Sequence, residues 1–330
     1  MRNSLTAQEE RVLAAAQMDW RQDVPTLARA TGLKAHAVTY ALKRIDEKRV
    51  ARPFVMYNIH RVGLTDYCVF FNVQGSSKKI RDTVLRYAIE STQTTYVAEL
   101  TGKYQYTVSI MAYSIFEVEA FFDGLAKRLD RPSLDLSFGI RAQWSILPVK
   151  YLGNLRVKAS ALTRTDAGER MEVSQEDQRM LARFSRDPKV SVTRLAGQLG
   201  VAPTTLRYRI ENLERKGVIL GYPLAVDGAA LGRYPFRVLI VARGIDASFR
   251  KALFSFACSH PLCTMFVRCL GAWDFELNYD LENLAQGGEM VQELYDSFAN
   301  HIQSTTTVTE LGVWKFHEWP LRSEIANGAK

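Results

Sequence analysis

The chain has 330 residues, 47% of them hydrophobic and 24% charged. No apolar run nears the roughly 20 residues of a membrane-spanning helix, and MRNSLTAQEE at the start has no apolar leader core, which points to a cytoplasmic globular protein of several domains. The net charge of +8 is unevenly placed: 1–62 carries +5, 63–148 none, 149–172 +2, 173–232 +3 and 233–330 −2, so two segments are suited to a polyanion.

The chain repeats itself. Residues 5–51 overlie 173–219 without a gap, with VPTLARATGL (24–33) against VTRLAGQLGV (192–201). LTGKYQYTV (100–108) then meets CLGAWDFEL (269–277). A unit this long is a duplicated pair of domains, not a solenoid repeat.

Each copy opens with a short helix, 6–17 and 174–185, begun by Thr6 or Ser174 with Glu9 or Asp177 three residues later. A second helix (24–31, 192–199) stops at Gly32 or Gly200. A third (35–48, 203–216) has a buried stripe of Val38, Leu42 and Ile45, or Leu206, Ile210 and Leu213. Helix, glycine turn, helix is the helix-turn-helix, whose second helix enters the major groove of DNA. The outer face of the third helix carries Lys34, His36, Thr39, Tyr40, Lys43 and Arg44 in the first copy. In the second copy it carries Thr204, Thr205, Arg207, Tyr208 and Arg209. These are donors suited to phosphates and base edges. Segments 49–61 and 217–231 are each expected to fold into a wing hairpin.

Residues 64–148 alternate strand and helix in the order βαββαβ: strand 67–73, helix 78–90, strands 94–100 and 106–113, helix 116–129, strand 134–147. Residues 234–317 repeat that order, with helices at 247–259 and 289–302. The expected fold class is α+β. Winged helix-turn-helix domains at 1–62 and 173–232 alternate with ferredoxin-like βαββαβ domains at 63–148 and 233–320. A linker covers 149–172 and a C-terminal tail 321–330.

No nucleotide-binding, metalloprotease or nucleophile-elbow motif is present, so no catalytic residue, cofactor or metal site is expected. Cys258, Cys263 and Cys269, with His260 among them, lack zinc-site spacing and are read, with Cys68, as reduced thiols packed in a core. His36 sits on the DNA-facing helix; His60, His260, His301 and His317 are read as surface or packing residues. Asp274 and Glu276 are read as a solvated edge beside a turn.

With LAGQLGVAPTTLRYRIENLERKGVILGY (195–222) and the turns TGKYQY (101–106) and LGAWDF (270–275), the chain resembles the Lrp/AsnC (feast/famine) regulators over nearly its whole length, twice. The resemblance implies a transcription regulator that binds double-stranded DNA. Its ferredoxin-like parts would be of the family's RAM type, serving effector binding and assembly. The effector would be an amino acid or related metabolite, held near Gly102, Tyr104, Gln105, Gly271, Trp273 and Asp274. Two tandem chains would pair as a homodimer, with no membrane partner. The sequence departs from the family where the arginine matched by Arg209 is Ala41, where Gln105 stands opposite Asp274, and where Leu270 replaces the threonine matched by Thr101.

Two other classes compete. Siroheme decarboxylases resemble the same family and work as paired homologous subunits, which a tandem chain would imitate. The third reading is an effector-binding or scaffold protein without DNA affinity.

Overall fold

The computed structural model describes residues 4–320 except 76, 131, 154–159 and 166–167; the expected tail at 321–330 lies outside the described residues. Three helices come first, α1 (Ala7–Ala16), α2 (Val24–Thr31) and α3 (Ala35–Lys48), followed by strands β1 (Ala51–Pro53) and β2 (Met56–Tyr57). Thr6 and Glu9 form a full capping box on α1. Next come β3 (Thr65–Val73), α4 (Lys78–Glu90), β4 (Thr94–Gly102), β5 (Tyr106–Ala112), α5 (Ile115–Arg128) and β6 (Leu134–Ile146). Within the expected linker, β7 (Leu162–Thr165) lies along β6.

The second half supplies α6 (Gln175–Arg186), α7 (Val192–Leu199), α8 (Pro203–Arg215), β8 (Ile219–Gly221) and β9 (Leu224–Val226). It ends with β10 (Tyr234–Ala242), α9 (Ala247–Ser259), β11 (Cys263–Gly271), β12 (Phe275–Leu281), α10 (Gln286–Phe298) and β13 (Ile302–Phe316). The last helix stops four residues before the expected 302, because Ile302 already pairs with Ala242 in the sheet. Among the described residues no helix is long and apolar enough to cross a membrane.

The segments expected to form wing hairpins pair with each other instead. Ala51 faces Val226 and Pro53 faces Leu224, while Met56 faces Gly221 and Tyr57 faces Ile219. The physical reason lies in the cores. Leu224 and Val226 pack into the α1–α3 unit, whereas Val55, Tyr57 and Ile59 pack into the α6–α8 unit. Each three-helix unit buries apolar side chains from the other half, which a self-contained hairpin would leave in water.

The two βαββαβ halves also join. β6 bonds β3 through Leu134–Ile140 and β11 through Gly139–Ile146. β13 bonds β10 through Ile302–Thr309 and β4 through Val308–Phe316. The order β11-β12-β10-β13-β4-β5-β3-β6 therefore closes back on β11 as a barrel, leaving neither sheet an open edge at those seams. Strand alternation sorts the side chains. Tyr67, Val69, Phe71 and Val73 of β3 face α4 and α5, while Cys68 and Phe70 face the barrel interior with Leu239, Val267 and Trp273. The second half packs Val238, Ile240, Leu277 and Tyr279 against α9 and α10. A large apolar side chain buried as fully as Phe70 or Phe71 contributes about 1.5–3 kcal/mol.

Candidate nucleic-acid interface

α3 follows α2 across Gly32, which is left-handed at φ 69°, and α8 follows α7 across Gly200 at φ 68°. The inner stripe of α3 is Val38, Ala41 and Ile45; that of α8 is Leu206, Ile210 and Leu213. Leu42 is only half-buried, and Ala41 takes its place in the stripe. Ala41 is thus a packing residue on the inner face of α3.

The opposite faces are open. Tyr40 is 66% exposed and Tyr208 63%, so both rings lie open to solvent. Lys34, His36, Thr39, Lys43, Thr204, Thr205 and Arg207 are exposed too. Among the described residues Lys34 and Arg207 make no side-chain hydrogen bond or ion pair, so both cations are available to an external anion. Lys43 lies 3.9 Å from Glu47. Arg44 donates to Glu47 at 2.7 Å and lies 3.9 Å from Glu9. Arg209 is turned inward: it donates to Glu176 at 2.5 Å and lies 3.6 Å from Asp177, tying α8 to the first turn of α6. That hydrogen bond holds the Glu176 carboxyl below its ordinary range. Arg209 is placed as a clamp between helices, unlike Arg207 one position before Tyr208.

The turns singled out for an effector are structural at their centre. Gly102 (φ 111°) abuts Thr307 of β13, where a Cβ would come within 2.9 Å of the carbonyl oxygen. Gly271 (φ 142°) abuts Phe138 of β6 in the same way. Only glycine fits where these strand ends cross the seams. Tyr104 is buried and donates to Ser137 Oγ at 2.9 Å. Trp273 is buried edge-on to Phe70, ring centres 5.1 Å apart, and among the described residues its Nε1 has no hydrogen-bond partner. Gln105 Oε1 accepts from Val73 N–H at 2.9 Å, and Asp274 Oδ2 accepts from Ala242 N–H at 2.8 Å. The two unlike residues therefore do one job, fastening the turn to the neighbouring strand.

Sequence reasoning missed the barrel's ionic interior. Glu276, read above as a solvated edge, is fully buried; strand alternation points it into the barrel. Arg237 donates to it at 3.3 Å and also to Tyr96 and Glu310. Arg141 donates to Ser109 at 2.6 Å and lies 3.7 Å from both Asp66 and Glu276. Arg164 donates to Asp66 at 2.5 Å and Glu318 at 2.7 Å. The available signal was a lone charge inside an apolar strand run, as in YPFRVLIVA. The cysteines are free. Burial pushes the Cys68 thiol up to about 11 and that of Cys263 up to about 12, so both stay protonated and inert near neutral pH. Among the described residues no three His, Cys, Asp or Glu are grouped to hold a metal.

Comparison with known proteins agrees with this geometry. The family described as winged helix-turn-helix DNA-binding matches residues 177–219, which span α6 to β8. The leucine-responsive regulatory protein of Rhizobium meliloti is 32% identical over 127 residues, 38% of this chain and 80% of that one. The HTH-type transcriptional regulator LrpA of Pyrococcus horikoshii is 32% identical over 79 residues, 24% of this chain and 53% of its own length. The chain thus spans about half the length of LrpA. Among solved structures, the siroheme decarboxylase NirDL matches 96% of this chain and 95% of its own with a TM-score of 0.60 at 10% identity, a likeness of fold.

Proposed function

The chain belongs to the Lrp/AsnC family, and from that premise we propose that it is a sequence-specific DNA-binding transcription regulator built as a tandem duplication, with α3 and α8 as its recognition helices. One observation carries the reading. Two glycine-turn helices each present an exposed tyrosine and a cation with no partner among the described residues, Lys34 at the N-cap of α3 with Tyr40 on that helix, and Arg207 with Tyr208 on α8. In this reading one chain does the work of a two-fold dimer and reads an imperfect palindrome. The direct test compares wild type with Arg207→Ala on DNA from upstream of the protein's own gene. Loss of binding in a folded variant supports the reading, and undiminished binding removes α8 from it.

The effector is proposed to act at the two seam turns, through Gly102, Tyr104 and Gln105 and through Gly271, Trp273 and Asp274. The unpartnered Trp273 Nε1 supports this, as does the position of both turns where one half meets the other. A ligand there would bias how the halves sit, and with them the recognition helices. DNA footprints left unchanged by a broad panel of amino acids would sink this part. Pairing of two chains is proposed on the exposed apolar side chains Ile140 and Leu270, which face each other across the β6–β11 seam. A single-chain mass in sedimentation at working concentration would count against it.

The full-length likeness to NirDL favours a second reading, an enzyme acting on a tetrapyrrole. The exposed cations of α3 and α8 have no task in that reading. Titration with siroheme separates the two, since a regulator of this kind gives no shifted absorption band.

A further inference from the structure

The contacts between the two helix-turn-helix units come in matched pairs. The overlay that sets residue 5 on 173 also sets Val50 on Val218, Arg21 on Lys189 and Asp46 on Glu214. Val50, just after α3, accepts from Asp227 N–H of the second copy at 2.8 Å. Its counterpart Val218, just after α8, accepts from Asn58 N–H of the first copy at 2.8 Å. The ribbons repeat the pattern, β1 with β9 and β8 with β2. Each ribbon carries apolar side chains of one copy into the core of the other, so separating the units would bring Leu224, Val226, Val55 and Tyr57 into water.

One ion pair also occurs twice. Arg21, in the turn between α1 and α2, lies 3.4 Å from Glu214 on α8. Its guanidinium stands 4.3 Å from the ring centre of Tyr222, whose hydroxyl donates to the same carboxylate. Lys189, in the turn between α6 and α7, bonds Asp46 on α3. In each case a cation from the first turn of one unit reaches a carboxylate on the third helix of the other. Trp20, next to Arg21, packs against both cores and donates through Nε1 to Phe54 O at 3.1 Å. The ribbons hold the ends of α3 and α8, and the ion pairs hold the helices themselves. Both pairs are exposed, so each shifts an equilibrium by about fivefold at most. Burial makes the joint; the ion pairs set its angle.

We propose that α3 and α8 form one rigid body, so that the chain binds only DNA whose two half-sites lie at one separation and one helical phase. Arg21 and Lys189 are the positioning residues that set this phase, acting through Glu214 and Asp46. The DNA part of the inference rests on the regulator reading; the rigid joint does not. Each base pair inserted between half-sites turns one of them by about 34° and moves it about 3.4 Å along the helix. Two units on a free hinge could follow that change, and two units that share their cores cannot. An effector then acts on the pair as one body and does not spread it.

Two measurements on the full chain separate the joint from the DNA. The first uses no DNA. Spin labels are placed at His36→Cys and Thr204→Cys, exposed counterparts on α3 and α8, in a Cys258→Ser background whose remaining native thiols are buried. Their distance distribution is expected to be a single peak no wider than that of Gln8→Cys with His36→Cys inside one unit. Arg21→Glu with Lys189→Glu is expected to shift or broaden the peak, and adding Asp46→Lys with Glu214→Lys to restore it. The second measures binding to DNA from upstream of the protein's own gene, with two, five or ten base pairs inserted between the half-sites. Each insertion is expected to weaken binding by about thirtyfold or more, half the logarithmic advantage of specific over non-specific binding, and a full turn of about ten base pairs is not expected to restore it. The Arg21→Glu/Lys189→Glu chain should reduce the penalty for two base pairs by about fivefold. A broad or many-peaked distribution overturns the proposal, as does binding regained at ten base pairs. An unmoved peak with an unchanged penalty removes Arg21 and Lys189 from the positioning role. A narrow peak in a chain that binds no DNA upholds the joint, and sinks the operator claim together with the regulator reading.

Discussion

Arg237→Met probes whether the two halves are held together by their interior charges. Arg237 comes from β10, and its partners are Glu276 on β12, Glu310 on β13 and Tyr96 on β4 of the other half. Methionine fills much of the volume but leaves Glu276 and Glu310 without this cation, and the nearest remaining guanidinium, Arg141, is 3.7 Å from Glu276. Removing one partner of a buried ion pair costs about 3–5 kcal/mol, because the other charge stays buried. Urea unfolding at pH 8 measures that loss directly. The stranded carboxylates bind protons more readily in the folded chain than in the unfolded one. The loss should therefore shrink as pH falls from about 8 to 5. Adding Glu310→Gln to Arg237→Met should recover part of the stability at pH 8. A loss under about 1 kcal/mol, or one that is the same at both pH values, refutes the reasoning, since exposed pairs cost no more than that.

Three further outcomes follow from particular contacts. Arg209→Ala should weaken the α6–α8 clamp by no more than about 1 kcal/mol, given its partial exposure, and leave the salt dependence of DNA binding unchanged; thermal melts and binding titrations on the same variant check both. Gly271→Ala places a Cβ onto the Phe138 carbonyl oxygen at a φ of 142°, and should cost about 2–3 kcal/mol or more in chemical denaturation. Glu318, its carboxyl held near 7 by burial, keeps a proton that the unfolded chain releases near 4.5; stability should fall as pH rises between those values, and Glu318→Gln should flatten the slope.

The local elements were legible because their signals are local. Thr6 with Glu9, Gly32, Gly200 and Pro203 mark helix ends by backbone chemistry that no distant contact overrides. The apolar stripe of α8 was readable for the same reason. What stayed hidden depends on which strand meets which. Segments 49–61 and 217–231 look like hairpins one at a time; only the cores that accept Leu224 and Tyr57 decide that they cross. Arg209 and Arg207 are equally basic in the sequence, and only Glu176 on another helix separates a clamp from an open cation. Glu276 looked solvated because it follows a turn. The barrel that buries it closes through β6 and β13, far away in the chain.

The measurement that tests the regulator reading most directly is equilibrium binding of the full chain to DNA from upstream of its own gene, between about 50 and 200 mM salt. The account predicts binding whose log K falls by about 0.9 per neutralised phosphate for each unit of log salt concentration, with Arg207→Ala lowering that slope by about one phosphate. No binding at the lowest salt, by a chain that unfolds cooperatively and shifts the absorption of added siroheme, would contradict it.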